Sequence, residues 1–115
     1  MYTLHRHAGL DTEKWSIFSR TKQILMIANE LYRARGWIEK KQAQEVKECY
    51  ERAFELIDLT VAVHLVGWNT RELLRLREML AGLYAQQEVY VADNDRYYTA
   101  LLTMDAEAFR LMQTV

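Results

Sequence analysis

Not one proline occurs in this chain, and apolar residues recur three and four positions apart along most of it. Together these features limit the fold more than any motif does. With only four glycines in 115 residues, the chain lacks the punctuation that a fold with many tight turns requires. Spacings of three and four place apolar side chains on one face of a helix, and the abundant Ala, Leu, Glu, Arg, Gln and Met are good helix formers. The expected fold is therefore all-α.

Four helical stretches follow from the periodicity. The first runs from an Asp11 cap to about Arg35. Phe18, Leu25 and Tyr32 are spaced by seven, as are Ile17, Ile24 and Leu31, and Gly36 offers a left-handed stop. The second runs from about Ile38 to His64 along Val46, Tyr50, Ala53, Ile57 and Thr60, with Gly67 beyond it. Asn69 to Glu72 is a capping-box variant that opens the third, whose stripe is Leu73, Leu76, Leu80 and Leu83, ending between Gln87 and Ala92. Asp93-Asn94-Asp95 is a turn and cap cluster ahead of the fourth, along Tyr97, Leu101, Met104, Ala108 and Leu111. Asp105 offers a cap for a separate last helix, with a break near Thr103.

Short connections favour antiparallel neighbours. The expected architecture is an antiparallel, up-down-up-down four-helix bundle, the alternative being three long helices plus an irregular C-terminal helical segment. Residues 1–10 form an irregular N-terminal arm and residues 11–115 a single helical-bundle domain. A chain of this length buries roughly two-thirds of its unfolded surface, enough for a core without staples.

The first helix is more apolar than an edge helix requires. With Leu25, Phe18 and Tyr32 at the centre of its core face, Ile24, Ile27 and Leu31 extend the arc beyond one core. Phe54 and Val61 broaden the second helix in the same way. The excess is either covered within the bundle or is an interface with a second copy or with a partner protein helix, with Ile24, Ile27, Leu31 and Trp37 as its contacts and a homodimer as the simplest assembly. Trp37 and Trp68, near helix ends, suit an interface or a lid on the core. Asn29, at the edge of the core face, is a candidate buried polar residue that sets register.

Net charge is −1, so no basic field gathers nucleic acid over the whole chain. Locally, Lys22, Arg33, Arg35, Lys40 and Lys41 gather around the first helix and its following turn, with Tyr32 and Trp37 between them. Such a cluster can contact anions, and cations interleaved with aromatic rings suit single-stranded nucleic acid. Glu45, Glu48, Glu51, Glu55 and Asp58 form an acidic, solvated face on the second helix.

Chemistry is hard to place. His64 lies on the central seam of the second helix, and Cys49 is about 22 Å away along the same axis, too far for a nucleophile–base pair. His5 and His7 are too few for a zinc site. Short phosphate-binding, hydrolase and metal motifs do not occur. No catalytic, cofactor or metal site is expected. The single cysteine permits no intrachain disulfide, and no signal-like or membrane-spanning run occurs, so a cytoplasmic location and no membrane partner are expected.

The run Lys22-Gln23-Ile24-Leu25-Met26, the charged joint Glu39 to Gln44, the stretch Arg52-Ala53-Phe54-Glu55-Leu56-Ile57 and the later Leu83-Tyr84 resemble the pattern of flagellin-specific export chaperones. The glycine pair usual in that family's middle loop is missing. The resemblance implies a four-helix bundle that holds the helical end of a secreted subunit. Protein–protein association, without catalysis, is the function these readings share; a nucleic-acid module using the basic cluster is the alternative.

Overall fold

In the computed structural model, residues 9–64 and 70–113 are described, and among them the regular structure is helical throughout. Six helices follow in order: α1 (Thr12–Ser16), α2 (Arg20–Glu39), α3 (Ala43–His64), α4 (Thr70–Tyr84), α5 (Val91–Leu102) and α6 (Ala106–Gln113). The radius of gyration is 13.6 Å, close to the roughly 13 Å of a folded 100-residue domain. Most of the expected arm, and Gly67, Trp68 and the Asn69 cap, lie outside the described residues.

The expected first helix is two helices. Asp11 caps α1 by accepting from the Lys14 amide at 2.9 Å. The chain then turns at residues 17–19, and Ser19 caps α2 by accepting from the Lys22 amide at 3.1 Å. The buried carboxamide of Gln23 holds this corner by donating to the carbonyls of Trp15 and Phe18 (2.9 and 3.2 Å). The corner delivers Trp15 onto α3, where its indole N–H donates to Thr60 Oγ1 at 2.9 Å and Thr60 donates to the Leu56 carbonyl.

Gly36 does not stop α2. The helix continues to Glu39 and closes in a Schellman motif: the Gln42 amide donates to the Trp37 carbonyl (2.9 Å) and the Lys41 amide to that of Ile38 (3.0 Å). The left-handed position is Lys41, at φ 59°, where glycine is the low-energy choice. Downstream, α4 ends at Tyr84, earlier than its periodicity suggests. Lys47 of α3 donates to the Tyr84 carbonyl at 2.6 Å and satisfies that helix end.

Asp93-Asn94-Asp95 is not a turn. It lies in the first turns of α5, which Tyr90 precedes without a side-chain cap. Asn94 is 0% exposed; it accepts from the Tyr50 hydroxyl (2.7 Å) and donates to the Leu31 carbonyl (2.9 Å), tying α3, α5 and α2 at one point. The break near Thr103 is present, and Asp105 caps α6 through the Ala108 amide at 3.0 Å.

Helix α2 is the axis of the assembly: α3, α5 and α6 all pack on it, while α1 and α4 pack on α3 and α4 also meets α5. Cross-helix pairs run in opposite orders. Gln23 meets His64 and Glu30 meets Arg52; Lys47 meets Tyr84 and Asp58 meets Arg77; Arg35 meets Asp95 and Tyr32 meets Tyr98. Neighbouring long helices are thus antiparallel. Every buried side-chain nitrogen and oxygen among the described residues has a hydrogen-bond partner.

Candidate functional site

Ile24, Ile27 and Leu31 are each 0% exposed, so their assignment to an exposed interface is corrected. The reason is the corner at residues 17–19. The seven-residue spacing from Phe18 to Leu25 and Tyr32 crosses that break, so Phe18 does not define the face of α2. The buried stripe is Ile24, Ile27, Ala28, Leu31 and Ala34, set between α3 on one side and α5 and α6 on the other.

Turning the helix this way exposes a different surface. With Leu31 pointing to the core, Lys22, Asn29 and Arg33 fall within roughly 20° of the opposite direction at 100° per residue. Asn29 is exposed and sets no register in the core; Asn94 is the buried polar residue that ties helices together. Tyr32, expected at the centre of the core face, is 61% exposed.

This face borders a groove of about 650 Å³. Leu25, Met26 and Tyr32 of α2, Tyr98 of α5 and Met112 of α6 give it apolar walls; Lys22 and Arg33 carry charge on it. Tyr32 and Tyr98 stack at a tilt with ring centroids 6.3 Å apart. Burial, with help from Tyr32 and Asp95 nearby, pushes the Tyr98 phenol above its ordinary range, so it stays a neutral donor and acceptor. Two methionines adapt to irregular partners without a fixed shape. Along the α2 axis Lys22 and Arg33 are eleven residues apart, about 16 Å.

Glu30 lies beneath this face, mostly buried. Arg52 binds it at 3.0 Å and Arg33 approaches at 3.8 Å. Arg52 also donates to the Cys49 sulfur at 3.3 Å. Cys49 is fully buried, and burial pushes its thiol above the ordinary range despite Arg52. Such a thiol lacks the access and thiolate character that reactive cysteines need.

The basic cluster is divided. Lys22 and Arg33 border the groove; Arg35 is paired with Asp95 at 3.0 Å; Lys40 sits 5.2 Å from the ring centroid of half-buried Trp37; Lys41 lines a separate cavity at the α2–α3 turn. The acidic face is not simply solvated either. Asp58 binds Arg77 through two contacts of 2.6 and 3.0 Å, Glu51 accepts from the Tyr84 hydroxyl, and Phe54 packs between Arg77 and Tyr84, so much of this side is the seam with α4.

His64 Nε2 is 3.0 Å from Gln23 Oε1. The carboxamide nitrogen of Gln23 is already donating to the corner, so the histidine is the donor here. Burial, then the charge of Arg20, holds the His64 pKa below its ordinary value. His64 thereby braces the α1–α2 corner. Among the described residues no group of three or more His, Cys, Asp or Glu side chains is placed to hold a metal ion, and no helix is long and apolar enough to cross a membrane.

Of the residues missed in the sequence, Tyr98 and Met112 arrive from α5 and α6 and had no local signal, whereas Met26 had one. Ser19 is a standard N-cap, and starting the helix there recentres the apolar arc. No protein-family model matches the chain, and comparisons with curated proteins and with solved structures find no match to it. The resemblance to flagellin-specific export chaperones therefore rests on residue pattern alone.

Proposed function

We propose that this protein is a non-enzymatic binding module, a four-helix bundle of α2 to α5 flanked by α1 and α6, that holds an acidic amphipathic helix of another protein in the α2–α5–α6 groove. The observation that carries this reading is the outward face of α2: flexible apolar side chains between two cations about three turns apart. A complementary helix presents apolar residues at i, i+4 and i+7, with carboxylates flanking them about eleven positions apart.

Self-association is less well supported on this face. In a two-fold dimer the patch meets itself. An antiparallel pairing centred midway between Met26 and Asn29 sets Lys22 of one copy beside Arg33 of the other, and like charges across an interface are unfavourable. An acidic foreign helix turns the same two charges into attraction.

The test is a titration of ¹⁵N-labelled protein with an acidic amphipathic helical peptide, followed by NMR. The expected shifts map to Leu25, Met26, Asn29, Tyr98 and Met112, and light scattering shows a monomer before the peptide is added. Shifts elsewhere, or a concentration-dependent dimer that buries this face, overturn the reading.

A further inference from the structure

A second cavity lies at the other end of the molecule, where the α2–α3 turn meets the α4–α5 connection. It measures about 450 Å³, within the range of roughly 300–1,000 Å³ usual for small-molecule sites. Ile38, Val46, Leu83 and Val89 give it an apolar interior.

Its polar lining is unbalanced. Lys41 and Lys47 stand against one carboxylate, Glu88. Arg35, Arg52 and Arg77 are each paired with an acid, whereas neither lysine has a carboxylate partner among the described residues. Lys47 spends one hydrogen on the Tyr84 carbonyl and lies 4.5 Å from that ring's centroid. An ammonium has three donors, so two remain. Lys41 occupies the left-handed position of the Schellman motif at φ 59°, where glycine or asparagine is less strained. A strained, unpaired cation on the wall of a cavity is a reason to look for a ligand there.

We propose that this cavity binds a small organic monoanion, a carboxylate on an apolar chain or ring. Lys41 and Lys47 take the carboxylate, and the apolar body lies against Val46, Leu83 and Val89. Two cations beside an apolar interior match one negative charge better than a polyphosphate. This site is separate from the α2 groove and does not depend on what occupies it.

The test uses the full chain with octanoate, 4-phenylbutyrate and 1-octanol, followed by NMR shifts and calorimetry. Either acid should bind saturably and perturb the amides of Lys41, Lys47 and Val89. Which acid binds more tightly tells chain from ring. The uncharged alcohol should bind about tenfold more weakly, as expected when a charge-assisted hydrogen bond is lost. Lys41→Gln keeps the backbone amides and removes the charge. It should weaken octanoate binding several-fold and leave octanol unchanged, with the folded spectrum intact. Equal affinities for acid and alcohol, shifts confined to the α2 groove, or no saturable binding at millimolar ligand overturn the proposal.

Discussion

Asn94 is the residue on which the packing of α2, α3 and α5 converges, and its removal gives a calculable result. In Asn94→Ala the Tyr50 hydroxyl, buried and 2.7 Å from Oδ1, loses its acceptor. An unsatisfied buried polar group costs about 1–3 kcal/mol. The vacated side-chain volume adds about 1 kcal/mol. The expected loss is about 2–4 kcal/mol, a large share of the roughly 5–15 kcal/mol typical of a domain. Tyr50→Phe leaves the carboxamide oxygen without its donor and should cost about 1–2 kcal/mol. The double variant removes both ends of the bond, so its loss should fall short of the sum of the singles by about 1 kcal/mol. Urea unfolding followed by circular dichroism at 222 nm measures all four proteins. Additive losses, with no coupling, refute the bond as a structural element.

Asn94→Asp adds a pH signature. An aspartate there cannot donate to the Leu31 carbonyl unless protonated, and burial raises its folded pKa above the unfolded value of about 3.9. The folded state then binds more protons than the unfolded one between those two values. Stability of this variant should fall as pH rises through that window; a flat profile contradicts it.

Lys41→Gly relieves the left-handed strain, partly offset by a more flexible unfolded chain, and should raise stability by about 0.5–1 kcal/mol in the same unfolding assay; a loss of stability contradicts the Schellman assignment. Ile27→Glu should unfold the chain or cost about 4 kcal/mol or more, because it buries a charge at a fully enclosed site, rather than merely altering association. His64 has a depressed folded pKa, so the unfolded state binds more protons as pH falls below its value of about 6.5. Wild-type stability should therefore decline on acidification from pH 7.5 through that window, and His64→Gln should flatten the decline; an unchanged slope argues against His64 as the brace of the corner.

Helix content was legible from spacing alone, because α3 and α4 keep one face toward one partner layer: Leu73, Leu76, Leu80 and Leu83 are all buried as their periodicity implies. The face of α2 was not. A local event, Ser19 capping a new helix while Gln23 secures the corner, broke a seven-residue pattern that reads as continuous in the sequence. Asn94 was hidden for the opposite reason. Its neighbours Asp93 and Asp95 have the composition of a turn, and only the distant Tyr50 and Leu31 make a helical, buried asparagine favourable. Lys41 displaced Gly36 as the left-handed residue because apolar Trp37 and Ile38 gain contact with the core when α2 runs on past the glycine. The groove followed from the reassigned face. Its cations were identifiable in the sequence, and its apolar walls were not, since Tyr98 and Met112 arrive from α5 and α6.

The most direct measurement is a charge reversal across the α2 groove, read by fluorescence anisotropy. An amphipathic peptide with two glutamates eleven positions apart is titrated into wild type and into Lys22→Glu/Arg33→Glu, and then a peptide with lysines at those positions is titrated into both. Binding by the matched pairs only, weakening with added salt, is the predicted result. Equal binding of both peptides to both proteins, or no binding in any combination while the variants remain folded, contradicts the groove as the site of partner capture.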